Sequence, residues 1–408
     1  MLSRTLTTDL AHHVGSRVRL CGWLHRRRAL KSVTFLVIRD RSGTAQVVVA
    51  PAAEVHRLAE ETVVEVTGEV VANPQAPQGV EVVAPAVRVL AEPSQPPPFD
   101  LYRPTLPATL PTVLDNAAVA LRHPVLKRRH EIAAASVGAF RRVLQDRGFT
   151  EVHTPKIVAA KTESGAEVFR LDYFGRPAYL AQSPQLYKQM LVGVFERVYE
   201  VGPVFRAEPH ATGRHLAQYT SLDAELGFIE DHRDVMALLR DVVAEMAHTA
   251  GAEGPPEEIP SIDFAQAQTL LGKDEPDLAP DDERRLGEWA RTHHGSEFLF
   301  VTGYPMAKRP FYTHPTPDNP AKSRSFDLLF RGLELVTGGQ RLHHHADYLR
   351  VLGAEARHYR GYLDAFAHGM PPHGGFAIGL ERWVAQVMGV SNVRGTTLFP
   401  RDLHRLTP

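Results

Sequence analysis

Between Val18 and about Leu90, apolar and polar residues alternate in short runs, VRLCGWL, TFLVIRD, TAQVVVA, VVEVTGEVV and GVEVVAPAVRVL, separated by basic, Gly-containing or Pro-containing turns. Period-two alternation at this spacing predicts strands that close into a small five-stranded barrel, with a helical segment near Glu54 to Glu61. The stretch EPSQPPPFDLYRPTLPATLPTVLDNAAVAL, from Glu92 to Leu121, is dense in proline and predicts an extended hinge of polyproline character. Helical spacing follows from Val125 to Arg147, where Ile132, Val137, Phe140 and Val143 to Leu144 recur on one face, and Gly148 is a C-cap candidate. Two strand-like runs, Arg197 to Glu208 and Tyr219 to Phe228, flank a loop rich in Gly, Thr, Arg and His and predict a long antiparallel hairpin. A helix is expected from Asp231 to Ala250. Beyond it, FLFVTGYPMAKRPFYTHP reads as a buried strand entering a basic aromatic loop, and SFDLLFRGLELVTGGQRLHHH as further strands.

Composition narrows this picture. A chain of 408 residues accommodates two or three domains, and 43% apolar with 23% charged residues is the balance of a globular protein. The formal net charge of -1 gives no global attraction to nucleic acid, so any basic surface must be local. A single cysteine, Cys21, excludes an internal disulfide framework and fits a reducing, cytoplasmic setting. No run reaches the roughly 18 to 20 apolar residues that span a bilayer, and MLSRTLTTDL lacks an apolar leader core, so no membrane partner is expected.

Candidate chemistry gathers on the hairpin, where Arg206, Glu208, Arg214, His215, Asp223 and Glu225 stand among Val, Phe and Leu. A planar guanidinium fork matches a phosphate, and carboxylates beside it can hold the fork or grip an amine. The same pattern also suits a salt-bridged sheet edge. Asp327 and Glu334 on adjacent strands could hold Mg²⁺, which prefers oxygen ligands. The His343 to His345 run is a weaker metal candidate, because consecutive residues point apart and no cysteine cluster accompanies it. On the barrel, Arg26, Arg27, Arg28 and Lys31 interleave with Trp23, His25 and Phe35, a pattern that suits phosphate neutralisation with base stacking or, equally, a core aromatic beside a solvated turn. KTESGAEVF, with its Gly, reads as a loop.

FRAE, RHL and YTSLDAE together resemble the second signature motif of the class II aminoacyl-tRNA synthetases, and PPHGGFAIGLERWVAQVMGVSNVRGTTLFPRDLHRLTP resembles the third with the family's ending. AQSPQLYKQ narrows the resemblance to the aspartate, asparagine and lysine subgroup, nearest the archaeal type of aspartyl-tRNA synthetase. The resemblance implies an α+β chain: an OB-fold anticodon-binding barrel over 1–95, a hinge over 96–124, and a catalytic domain over 125–408 whose antiparallel sheet is flanked by helices. It implies ATP and Mg²⁺ as cofactors, and activation of aspartate as an adenylate before transfer to tRNA(Asp). FTEVHTPKIV, with Pro155, resembles the end of the first motif and implies a homodimer.

Carried over residue by residue, the resemblance makes Arg206 and Arg382 the catalytic pair. ATP falls to Arg206, Glu208, Arg214, His215, Tyr219, Glu334 and Arg382, and the metal to Asp327, Glu334 and Thr337. Aspartate falls to Glu163, Ser164, Gln185, Lys188, Asp223, Thr337 and Arg341, with Lys188 and Arg341 selecting the side-chain carboxylate. In the barrel, His25, Arg28, Phe35, Gln46 and Pro77 face the anticodon. His25 and Pro77 occupy loop positions where the family's non-discriminating members carry His and Pro, which implies charging of tRNA(Asn) as well and a downstream amidotransferase. Gly213, Thr337 and Gly339 depart from the family's usual Thr, Ser and Ala. The rivals are a tRNA(Asp)-only enzyme, an asparaginyl-tRNA synthetase, which Lys188 opposes, an asparagine synthetase lacking the barrel, and a non-catalytic RNA-binding paralogue.

Overall fold

The computed structural model describes residues 2–50, 57–160, 167–209 and 212–407. The chain divides into two compact units, Met1–Val125 and Leu126–Pro408.

In the first unit, β1 (Arg17–Ala29), β2 (Thr34–Arg39), β3 (Thr44–Val49), β4 (Val63–Ala72) and β5 (Val80–Ala91) close a barrel in the order β1-β2-β3-β5-β4. All neighbours are antiparallel except β3 with β5. Alternation sends Val18, Leu20 and Leu24 of β1 inward to meet Leu36, Ile38, Val47, Val66 and Val82. Of the helical segment expected near Glu54 to Glu61 only residues 57–61 are described, and there Arg57 is in 3-10 conformation and the segment ends in a turn at Glu60 and Glu61, the latter with φ 69°. The proline-rich stretch is not extended throughout. Two short helices, α1 (Leu110–Asp115) and α2 (Ala117–Ala120), follow Thr109, because Pro111 falls in the first turn, where its missing N–H costs nothing, and no proline follows it in the stretch.

The second unit is built on an eight-stranded, mostly antiparallel sheet. After α3 (Pro124–Asp146) come β6 (Thr150–Glu151), β7 (Ile157–Val158), β8 (Arg170–Tyr173), β9 (Arg176–Leu180), α4 (Gln185–Phe195), β10 (Arg197–Phe205) and β11 (Gln218–Gly227). The chain continues through α5 (His232–Ala250), β12 (Ser261–Asp263), α6 (Phe264–Leu271), α7 (Pro280–His294), β13 (Phe298–Thr302), β14 (Ser325–Phe330) and β15 (Leu333–Gln340). It ends with α8 (His345–Leu352), α9 (Arg360–Ala367), β16 (His373–Gly379) and α10 (Leu380–Met388). The sheet order is β12-β13-β14-β15-β16-β11-β10-β6, and β7, β9 and β8 form a small second sheet.

The predicted hairpin is β10 with β11, paired from Arg197↔Leu226 to Phe205↔Gln218. Gly148, with φ 76°, follows α3 as its sequence position suggested. Leu222, Ala224, Phe326, Leu328, Phe376 and Ile378 pack on one face of the sheet against Phe140 of α3, Val242 of α5 and Trp383 of α10. Strand periodicity therefore turns the intervening residues, Tyr219, Ser221, Asp223, Glu225, Ser325 and Asp327, to the opposite face.

In the barrel, Gly22 lies so close to β2 that a Cβ built on it would sit 2.3 Å from the Arg39 carbonyl oxygen. Gly22→Ala is expected to destabilise the barrel by about 1–3 kcal/mol through overpacking. Amide hydrogen exchange should quicken in peptides from β1 and β2 and stay unchanged in those from α3 and α5.

Candidate active site

The polar face of the sheet floors a cleft of about 330 Å³. At one end, helix α4 presents Gln185 and Lys188, three residues apart and so on one side, both buried. Lys188 Nζ lies 3.0 Å from Asp223 Oδ1 and 3.3 Å from Glu225 Oε2, and donates to the Phe376 carbonyl at 3.3 Å. Arg341 Nε donates to Glu225 Oε1 at 2.9 Å and Nη2 to the Gly375 carbonyl at 3.0 Å. Ser221 Oγ donates to Asp223 Oδ2 at 2.5 Å. Burial alone would push the fully enclosed Glu225 upward, but Arg341 and Lys188 outweigh it and hold its pKa below the ordinary value. Gly375 makes the space, since a Cβ there would fall 2.1 Å from Glu225 Oε2. The result is a buried, charge-balanced quartet whose two cations border the cleft.

At the other end the cleft is rich in arginine. Arg206 follows β10 directly, and its guanidinium lies 5.5 Å from the Tyr219 ring centre. His215 Nε2 is 3.4 Å from Glu208 Oε2, and its Nδ1 is 2.6 Å from Thr212 Oγ1. Arg214 Nη2 donates to Glu283 Oε2 at 2.7 Å, and Arg382 Nη1 donates to the Glu334 carbonyl at 3.1 Å. Arg206, Arg214, His215 and Arg382 all line the cleft. Planar donors with a nearby aromatic face suit a polyanion that carries a flat base.

Asp327 and Thr337 are cross-strand partners on β14 and β15, and Thr337 Oγ1 donates to Glu334 Oε1 at 3.3 Å. Asp327 Oδ2 accepts from Arg309 at 2.9 Å, while its buried Oδ1 accepts no hydrogen bond. Enclosure by the cleft walls raises the pKa of Glu334, and the Asp327 carboxylate adds to the rise. A spare carboxylate oxygen beside a second, electrostatically disfavoured carboxylate fits a divalent cation with oxygen preference. Among the described residues, no group of three or more His, Cys, Asp or Glu side chains is placed to hold a metal ion, so ligands from the bound substrate would have to complete the shell. In the histidine run, the rings of His343 and His344 lie 4.0 Å apart, and His343 stacks at 6.1 Å on His314. Glu163 and Ser164 lie outside the described residues.

On the barrel, Arg28 and Phe35 face each other across β1 and β2 with the guanidinium 5.7 Å from the ring centre. Arg26, Arg27 and Arg28 are exposed, whereas Gln46 is buried and donates to Glu81 Oε2 at 2.8 Å. Pro77 opens an exposed turn, Pro77–Gly79. His25 departs from expectation. It is no loop residue but a buried part of β1, where a register shift between Leu24 and Arg26 turns two consecutive side chains inward. Arg39 Nη1 donates to His25 Nδ1 at 2.8 Å and grips Glu61 with both terminal nitrogens at 2.9 Å. Because arginine can only donate, His25 Nδ1 must accept, and burial with the Arg39 charge lowers the imidazole pKa to about 4.

Sequence reasoning missed several members of the cleft. Glu225 was visible in YTSLDAE, but its role depends on Lys188 and Arg341, 37 and 116 residues away by numbering. Glu283 on α7 and Arg309 carry no local signal at all. Glu381, on the first turn of α10, takes the Thr220 N–H at 3.0 and 3.1 Å, and burial pushes its pKa up to about 6.

The family described as tRNA synthetases class II (D, K and N) matches residues 110–403, and an OB-fold nucleic acid binding domain matches residues 18–90. The chain belongs to the class II tRNA synthetases of the D, K and N group. Within that group it is 47% identical to the Aspartate--tRNA(Asp/Asn) ligase of Thermus thermophilus, over 99% of this chain and 100% of that one. The enzyme of the same name from Deinococcus radiodurans is 44% identical over 100% of this chain and 99% of its own. The crystal structure of asparaginyl-tRNA synthetase from Pyrococcus horikoshii complexed with asparaginyl-adenylate superposes with a TM-score of 0.92 at 30% identity, covering 100% of both chains.

Glu381 makes the pH dependence of stability testable. Its raised pKa means that the folded state binds the proton more tightly than the unfolded one, so stability falls as pH rises through the interval from about 4.5 to about 6. Glu381→Gln keeps an acceptor for Thr220 and removes the titration. In urea unfolding followed by Trp fluorescence, the variant is expected to lack a loss of about 2 kcal/mol that the parent shows across that interval.

Proposed function

We propose that the protein attaches L-aspartate to tRNA(Asp) and tRNA(Asn). The observation that carries this reading is the buried Lys188–Asp223–Glu225–Arg341 quartet at the end of an arginine-lined cleft. Two cations held at a cleft wall favour a ligand with a carboxylate side chain, and a neutral amide would forgo that pairing. Asparagine is the second reading, because the quartet is already neutral and the superposed Pyrococcus structure holds asparaginyl-adenylate.

In the first step an oxygen of the aspartate α-carboxylate attacks the α-phosphorus of ATP, and the bond to pyrophosphate breaks. Arg206 holds the α-phosphate, Arg214, His215 and Arg382 hold the β- and γ-phosphates, Tyr219 stacks on adenine, and Glu208 accepts from its amino group. Gln185 and Asp223, with Glu163 and Ser164, hold the α-ammonium group. Asp327, Glu334 and Thr337 would hold Mg²⁺, which when bound would supply positive charge to offset that of the phosphates. In the second step a ribose hydroxyl of the tRNA 3′ end attacks the aspartyl carbonyl and AMP departs. No protein nucleophile is needed, since positioning and charge stabilisation suffice.

Arg28, Phe35 and Gln46 meet the anticodon, Phe35 by stacking. His25 acts there through Arg39, and Pro77 by shaping its exposed turn. Relatives named for both tRNAs support the two-tRNA reading. Aspartate on tRNA(Asn) serves protein synthesis only after amidation, so a tRNA-dependent amidotransferase acts downstream. The enzyme works in the cytoplasm as a homodimer.

Aspartate should charge tRNA(Asp) and tRNA(Asn) transcripts at comparable rates, and His25→Trp with Pro77→Lys should lose tRNA(Asn) alone. Charging of tRNA(Asp) only would refute the two-tRNA reading, and asparagine-dependent ATP–pyrophosphate exchange would replace aspartate as the substrate. Arg206→Lys is expected to lower the rate of aspartate-dependent exchange on the order of 10²-fold.

A further inference from the structure

Behind Gln185 lies a polar network that the mechanism above does not use. Gln189, fully buried one helical turn further along α4, accepts from Gln185 Nε2 at 3.0 Å. Its Nε2 faces the Tyr348 hydroxyl at 3.2 Å and His373 Nε2 at 3.0 Å. His373 Nδ1 sits 2.9 Å from the Pro371 carbonyl, which can only accept, so that nitrogen carries the hydrogen. His373 Nε2 must then accept from Gln189. The Tyr348 hydroxyl donates to the Leu342 carbonyl at 2.9 Å, and Tyr362 lies 3.1 Å from Gln189 Oε1 and 2.8 Å from the Tyr348 oxygen. With His373 neutral, Gln189 has a partner on both hydrogens and on its oxygen, and Gln185, committed through its nitrogen, keeps Oε1 for the cleft it lines.

A proton on His373 Nε2 would place an N–H against the Gln189 amide hydrogens. The network is re-formed only if the Gln189 amide turns over, its oxygen accepting from His373 and, once Tyr348 swings its single hydrogen away from the Leu342 carbonyl, from Tyr348, and its nitrogen donating to the Tyr362 oxygen and to Gln185. Gln185 must then turn as well, and it offers hydrogens to the cleft instead of an oxygen. We propose that Gln189 and His373 are positioning residues that fix the amide orientation of Gln185, so that the neutral imidazole lets Gln185 accept from the amino acid's ammonium group and the protonated imidazole reverses it. The inference rests on the reading of Gln185 as a ligand of that ammonium group.

The charged and titratable groups around His373 are Glu225 from β11, Arg341 after β15, His343, Tyr348 of α8 and Tyr362 of α9. Burial lowers the imidazole pKa, Glu225 opposes the shift and Arg341 adds to it. The neutral form therefore prevails at neutral pH, and the reversal belongs to the acid side.

The test is aspartate-dependent ATP–pyrophosphate exchange from about pH 7.5 down to about pH 5, with KM for aspartate and for ATP measured separately. In the parent, KM for aspartate should climb toward tenfold per pH unit once His373 titrates, while KM for ATP follows its own course. His373→Gln keeps an acceptor without a titrating proton, and Gln189→Met cuts the relay while conserving volume. Either variant is expected to flatten the aspartate profile and to leave that for ATP unchanged, so one that folds is enough. An acid rise in aspartate KM that persists in the variants, or a flat profile in the parent, overturns the proposal. Gln185→Ala separates the two readings. If it leaves aspartate KM unchanged at neutral pH, the assignment of Gln185 fails, and if it raises KM while the parent profile is flat, only the relay fails.

Discussion

The interaction on which the second unit depends is the buried salt-bridge quartet of Lys188, Asp223, Glu225 and Arg341. Removing ions from water costs several kcal/mol for each, and that cost is offset only when geometry is close and every remaining donor and acceptor is used. Here the four ions come from three separate parts of the sequence, α4, two positions of β11 and the residue after β15, so the quartet can exist only when the sheet order is correct. Gly375 completes it, because its missing side chain is the volume that Glu225 occupies. Lys188 and Arg341 are thereby held in place by the fold itself, which under the proposed function leaves little ordering entropy to be lost on binding.

The same economy of charge runs along the arginine-rich end. Arg214 rests on Glu283, Arg309 on Asp327, and Arg382 on the Glu334 backbone with its carboxylate 3.8 Å away. In the free chain these carboxylates stand in for a polyanion, which keeps the cleft walls from repelling one another. Under the proposed function, a triphosphate in the cleft would compete with Glu283 for Arg214 and with the Glu334 backbone for Arg382, and that exchange would favour ligands with several negative charges over those with one.

Local pattern made much of this legible. Alternation gave the barrel, helical spacing gave α3, and the hairpin that carries Arg206 and Asp223 was readable from its two runs and its polar loop. Strand periodicity also explains why the cleft residues of β11 are the odd-numbered ones, since the even-numbered ones go to the core. What stayed hidden depends on partners distant in sequence. The inward turn of His25 comes from a bulge, where one residue out of register cancels the alternation that would have placed it outside. The helices after Thr109 were masked by the proline content before them. Glu283 and Arg309 gain their place only through β14 and β15, which no window around them contains.

The two units each bury a histidine whose protonation state is imposed by the donor facing it, and the donors differ in one respect that matters. His25 faces Arg39, whose nitrogens carry only hydrogens and whose fork is locked on Glu61, so no rotation can turn that donor into an acceptor. His25 is therefore a fixed acceptor, and a proton there would have to break a bidentate ion pair. His373 faces an amide, whose donor and acceptor ends are of nearly equal size and can exchange by rotation about one bond. A guanidinium makes a buried histidine rigid and a carboxamide makes it switchable, and in this chain the carboxamide belongs to the same helix that presents Gln185 and Lys188 to the cleft.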